Sequence, residues 1–160
     1  MARYNFIPEK ADPEHLFTDI AQIGIVVRDL EKIMTQMEIL FGAERPDVVH
    51  AKPYHGFYRG EPAEYTADIA YYEQFNGVEL EFIQPLTGES IWADHLKNNE
   101  TALHHVRFNV REYDKCREFL ESKGITVYQC GDVSRDPAWK WCYFDTMEQL
   151  GFILEILSKT

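Results

Sequence analysis

The chain is poor in cysteine, in basic charge and in long apolar runs. Its three cysteines, Cys116, Cys130 and Cys142, form no C-x-x-C or other close pair, and an odd count without a secretory leader predicts reduced thiols. Sixteen Lys and Arg stand against 27 Asp and Glu, a formal net charge of −11. That balance supplies no basic stripe, which excludes a nucleic-acid footprint and an anionic membrane surface as expected partners. No run approaches the roughly 20 apolar residues of a membrane span, and the segment from Met1 to Lys10 lacks the apolar core of a signal peptide. A cytoplasmic protein acting on small molecules is the expectation.

What the chain does have is a repeat. With hydrophobic residues at 45% and charged residues at 27% of 160 positions, it has the composition of one compact globular body. Laying Ala21 to Lys32 over the later stretch with an offset of 83 residues sets Gln22 on His105, Val27 on Val110, Arg28 on Arg111, Asp29 on Glu112 and Lys32 on Lys115. Each copy reads as a strand feeding a helix. In the first, Ile20 to Val27 is rich in β-branched residues, and Asp29 opens a helical pattern that ends at Gly42. Val48 to His50 and Gly56 to Tyr58 suggest short strands in a turn-rich segment; Tyr65 to Glu73 and Val78 to Gln84 are clearer ones, joined by the hairpin signal Asn76-Gly77. Ser90 caps a short bridging helix, Ile91 to Asn98. In the second copy the strand Thr101 to Val110 precedes a helix over Arg111 to Lys123, and Ile125 to Gln129, Lys140 to Asp145 and Gly151 to Leu157 read as strands. The organisation is then an N-terminal extension (1–17), a first module (18–88), a linking helix (89–100) and a second module (101–160), each module a strand, a helix and three strands.

Equivalent positions in paired modules lie around a pseudo-twofold axis, so Gln22 and His105 are expected to face each other. The last strands of the two modules carry Glu81 and Glu155 in largely apolar surroundings, where a carboxylate is costly unless paired or bound to a cation. Gln, Glu, His and Glu make an oxygen and nitrogen donor set without thiolate, suited to one divalent ion of the Zn, Ni, Co or Mn kind. Two readings compete at the level of single residues: His104 is as visible a candidate as His105, and Glu79 shares a strand face with Glu81, so one of those two carboxylates could be solvated.

Four strings in order carry a family resemblance: Gln22-Ile-Gly-Ile-Val-Val-Arg-Asp-Leu-Glu31, Glu81-Phe-Ile-Gln-Pro-Leu-Thr-Gly88, the run from Glu89 to His104-His105-Val106, and Gly151-Phe-Ile-Leu-Glu155. Over about residues 18 to 158 the chain resembles the vicinal oxygen chelate superfamily, most closely its methylmalonyl-CoA epimerases. The resemblance implies an α+β glyoxalase fold, two paired βαβββ modules forming curved mixed sheets around a metal-centred cleft. It implies metal ligands at Gln22, Glu81, His105 and Glu155, with Glu155 also a proton shuttle, and Asp68 is the candidate second acid/base. The implied activity is that of an isomerase or epimerase moving a proton α to a carbonyl or thioester through an enolate held by the metal. The expected partners are a small carbonyl or thioester substrate and a second copy of the chain in a homodimer.

Two departures open alternatives. Gln22 stands where the epimerases have His, as in the ligand set of eukaryotic glyoxalase I, so a glyoxalase I-like lyase is the second reading. The stretch from Ser134 to Cys142, read as a loop, is bulky and aromatic where the epimerases are glycine-rich. With Tyr54, Phe57, Tyr58, Tyr71 and Tyr72 near the expected cavity, it points to an apolar or aromatic small substrate, or to ordinary core packing. A ring-cleaving dioxygenase ranks low, because its iron needs two histidines and Gln22 removes one. A non-catalytic drug-binding protein of the bleomycin-resistance type is the alternative from another class, and retention of all four candidate ligands argues against it.

Overall fold

The computed structural model describes residues 16, 17, 19–99, 101–133 and 136–159. Most of the extension expected over 1–17 therefore lies outside the described residues, although the Phe17 ring meets Phe108 edge-on. The first module holds β1 (Ile20–Val26), α1 (Leu30–Phe41), β2 (Val49–Ala51), β3 (Phe57–Tyr58), β4 (Glu61–Pro62), β5 (Thr66–Phe75) and β6 (Val78–Thr87). α2 (Ile91–Asn98) follows, and then β7 (Ala102–Asn109), α3 (Tyr113–Ser122), β8 (Val127–Val133), β9 (Asp136–Phe144), α4 (Met147–Leu150) and β10 (Ile153–Lys159).

Local chemistry accounts for the element ends. The Asp29 side chain accepts from the Lys32 amide and caps α1, and Gly42 closes that helix in the left-handed conformation. Asn76 and Gly77 both have positive φ, 53° and 93°, the pair a type I′ hairpin turn needs between β5 and β6. Ser90 caps α2 by accepting from the Ala93 amide.

The strands form one sheet in the order β2-β5-β6-β1-β7-β10-β9-β8-β3-β4. β1 and β7 pair antiparallel at its centre, while β6 and β10 flank them in parallel. The modules therefore join through their first strands. β3 and β4 belong to the first module by sequence, but β3 pairs with β8, at the far edge of the second, and β4 pairs with β3. In a flat sheet β2 and β3 would stand about 38 Å apart, eight spacings of about 4.8 Å. The link from Ala51 to Phe57 reaches at most about 21 Å. The sheet must curl, and this strap ties its two edges together.

Helices α1 and α3 pack on the outer face. α1 buries Leu30, Met34 and Met37 with Ala70, Tyr72 and Phe82, and α3 buries Tyr113, Cys116 and Leu120 with Cys142, Phe144 and Ile156. The inner face is aromatic, with Tyr65, Trp92 and Tyr143 in one cluster and Tyr71 and Trp141 against it. The strand expected from Lys140 is present but longer, and it takes in part of the stretch read as the loop leading into it. From Asp136 onward the chain is strand β9, whose residues 139–144 pair with β10, and long-range pairing supplies what local propensity did not. The three cysteines are free thiols. No helix among the described residues is long and apolar enough to cross a membrane.

Candidate metal centre

Two bulges aim the site. Between β1 and β7 the register steps from Ile20↔Phe108 to Gln22↔Arg107 and from Gly24↔His105 to Ile25↔Leu103, leaving Ala21 and His104 as the extra residues. These positions are 83 apart, so each bulged residue precedes one of the repeat-related pair Gln22 and His105. A bulge re-aims the side chains beside it. Here it lets the adjacent rings of His104 and His105 meet edge-on, with their Nδ1 atoms 3.0 Å apart.

Across the inner face the pairing gives two rows. One runs Tyr71, Glu81, Gly24, His105, Ile153; the other runs Tyr143, Glu155, Arg107, Gln22, Glu79. The pseudo-twofold axis exchanges them member for member. Four of the five sequence candidates meet in these rows. Gln22 Oε1, Glu81 Oε2 and Glu155 Oε2 each lie 3.2 Å from His105 Nε2. Gln22 and His105 are fully buried, and Glu81 and Glu155 are each 5% exposed.

Asp68 does not join them. Ile69 and Tyr71 face inward on β5, so Asp68 faces outward with Ala70 and Tyr72, and its Oδ1 lies 2.8 Å from His50 Nδ1. The sheet therefore stands between Asp68, expected as a second acid/base, and the four. β5 carries apolar residues on both faces, so its alternation did not declare which face was inner. Glu79 was the opposite case. It is 8% exposed rather than solvated, accepts from Gln22 Nε2, and lies 3.4 Å from Arg107 Nη2. Neither Glu79's role nor Arg107 was legible, because their pairing joins β6 to β7.

The electrostatics follow from burial. Burial alone would lower the His105 pKa, but the charges and hydrogen bonds of Glu155 and Glu81 outweigh it and raise it to about 9. His104 is driven well below its ordinary value by burial and then by His105 and His95, so it stays neutral and its Nδ1 accepts from His105. Burial pushes Glu79 up to about 7, opposed by Arg107.

Among the described residues no three His, Cys, Asp or Glu side chains converge on a common point at metal-ligand distances. The oxygens close instead on His105 Nε2, whose proton takes the place of a cation. The donor chemistry nevertheless fits a divalent ion. Ligands at about 2.1 Å stand about 3 Å apart along an octahedral edge, close to the three 3.2 Å separations. Beyond the approach to His105 Nε2, Glu81 Oε2 and Glu155 Oε2 have no hydrogen-bond partner. Three buried carboxylates, Glu79, Glu81 and Glu155, face one buried guanidinium, Arg107, and the excess of two negative charges matches a divalent ion with a neutral imidazole.

A family model for the glyoxalase/bleomycin resistance protein/dioxygenase superfamily matches residues 21–143. No curated protein matches the sequence. A hypothetical protein from Bacillus halodurans superposes with a TM-score of 0.68 at 15% identity, over 89% of this chain and 94% of that one. A methylmalonyl-CoA epimerase from Mycobacterium tuberculosis gives 0.63 at 14% identity, over 100% and 96% of the two chains. A methylmalonyl-CoA epimerase variant from Streptomyces coelicolor, bound to 2-nitronate-propionyl-CoA, gives 0.61 at 17% identity, over 90% and 99%. At these identities the likeness is one of fold, and it agrees with the sheet derived above. The chain belongs to the glyoxalase/bleomycin resistance protein/dioxygenase superfamily.

Proposed function

We propose that the chain is a metal-dependent isomerase or epimerase that moves a proton α to a carbonyl or thioester carbonyl. The observation that carries this reading is the convergence of three side-chain oxygens on His105 Nε2, two of them carboxylate oxygens with no further hydrogen-bond partner. Gln22, Glu81, His105 and Glu155 would hold the ion. When bound, it would polarise the substrate carbonyl and lower the cost of charge on the adjacent carbon.

The chain's own residues supply the proton transfers. Glu155 is the candidate base for the α-proton, and Glu81, its equivalent across the pseudo-twofold axis, is the candidate acid for return to the opposite face. Tyr58, Ala63 and Tyr65, with Ile91 and Trp92 of α2, pack in the inner-face cluster, and the water they exclude strengthens every charge interaction there. A similar solved structure, a methylmalonyl-CoA epimerase, holds methylmalonyl-CoA, which makes a CoA thioester the first substrate to try. Gln22 favours the second reading, a glyoxalase I-like lyase.

The test incubates the metal-reconstituted protein in deuterated water, with methylmalonyl-CoA in one arm and the hemithioacetal of methylglyoxal and glutathione in the other. Deuterium at the α-carbon of the first supports the epimerase reading. Lactoylglutathione from the second with no exchange in the first replaces it with the lyase. Neither product from metal-loaded protein contradicts both.

A further inference from the structure

The two inner rows match in their first two members and break symmetry on either side of His105 and Gln22. Tyr71 corresponds to Tyr143, Glu81 to Glu155 and His105 to Gln22, but His105 is flanked in its row by Gly24 and Ile153, whereas Gln22 is flanked by Arg107 and Glu79. The buried ion pair thus stands only on the amide's side of the site.

The chemistry of the two side chains explains the difference. The His105 ring is fixed by shape: a Cβ on Gly24 would fall 1.8 Å from its Cε1, so the ring fills the room glycine leaves, and Nδ1 meets His104. A glutamine amide cannot be fixed by shape alone. Its oxygen and nitrogen ends are nearly isosteric, and a half-turn about the last torsion replaces an acceptor by a donor. At a cation site that half-turn would present N–H where an oxygen is needed. A buried carboxylate beside the amide removes the ambiguity, since an ionised carboxylate only accepts. Gln22 Nε2 donates to Glu79 Oε1 while Gln22 Oε1 faces His105 Nε2 at 3.2 Å, and Arg107 Nη2 lies 3.4 Å from the same Glu79 oxygen.

We propose that Glu79 is a positioning residue: its carboxylate, held by Arg107, ties Nε2 of Gln22 and thereby turns Oε1 into the donor cluster. This rests on the metal reading for its purpose but not for its geometry. Second-layer hydrogen bonds of this kind change metal affinity about 10- to 100-fold.

The test compares wild type with two variants. Glu79→Leu/Arg107→Leu deletes the pair with no change in the net charge of the site, and Glu79→Gln removes the charge but keeps an oxygen acceptor, which Arg107, a donor only, holds in place beside Gln22 Nε2. Co²⁺ affinity is measured by competition, with the visible absorption of the bound ion. In metal-free protein, the side-chain amide signals of Gln22 are followed by 1H–15N NMR, assigned through their loss in Gln22→Met.

Deletion of the pair should weaken Co²⁺ binding by about 10- to 100-fold, alter its spectrum, and shift the Gln22 amide signals away from their wild-type, hydrogen-bonded positions. Glu79→Gln should stay near wild type in both readouts. A purely structural ion pair would instead leave the Gln22 signals in place, and an electrostatic role would make Glu79→Gln as damaging as the deletion; either overturns the proposal. Wild type that takes up no Co²⁺ would overturn the metal reading, and the amide signals of the metal-free variants would still decide whether Glu79 orients Gln22.

Discussion

Gly24 and His105 make a matched pair, and the fit is tight enough to be tested by one methyl group. A Cβ on Gly24 would meet three ring atoms of His105 within 2.3 Å, inside a buried strand pair where neither backbone can yield. Gly24→Ala should cost about 2–3 kcal/mol, the range of overpacked cores, read as a lower urea midpoint at unchanged m-value. The His105 environment sets a second expectation. Its folded pKa of about 9 exceeds the ordinary 6.5, so its contribution is complete below about 6.5 and is lost as pH rises through 9. Glu79, raised from 4.5 to about 7, acts in the same direction between those two values. Metal-free protein should therefore lose stability from pH 5 to pH 9 in urea titrations, and Glu79→Gln should flatten the lower part of that slope. Divalent-ion affinity should run the other way, rising with pH as His105 releases its proton.

At the scale of elements, the strap is held at one end by a small polar latch. Tyr58 OH donates to Asp94 of α2, Arg59 Nη2 reaches the same carboxylate at 3.1 Å, and the Arg59 guanidinium lies over the Tyr58 and Tyr128 rings at 5.2 and 5.4 Å. Asp94→Ala should speed amide hydrogen exchange in β3 and β4 while leaving β1 and β7 protected, because the central strands do not depend on the latch. Its cost to global stability should stay near about 1 kcal/mol, since Arg59 is exposed and screened. Several elements were legible because their signals are local: Asp29 and Gly42 bound α1, Ser90 caps α2, and Asn76-Gly77 turns the hairpin. The docking of β3 on β8 was not, since Phe57↔Cys130 joins residues with no shared sequence pattern. The same holds for Glu79 with Arg107, and for Asp68, whose strand is apolar on both faces.

For the whole molecule, the 83-residue offset was the informative signal: it set Gln22 opposite His105, and the fold adds that the bulges at Ala21 and His104 obey the same offset. A duplicated module has to bury its first strand against its copy, so symmetry-related side chains meet at the axis whatever their chemistry. That is why the candidate ligands could be read from the chain, while the pair that breaks the symmetry could not. The central claim is that the meeting point is a divalent-ion site, and elemental analysis of reconstituted protein tests it most directly, with wild type measured beside His105→Ala and Glu155→Ala. The account predicts about one divalent ion per wild-type chain and clear loss in both variants, with retained secondary structure by circular dichroism. Folded wild-type protein that takes up no ion from Zn, Ni, Co or Mn, or variants that bind as wild type does, would contradict it.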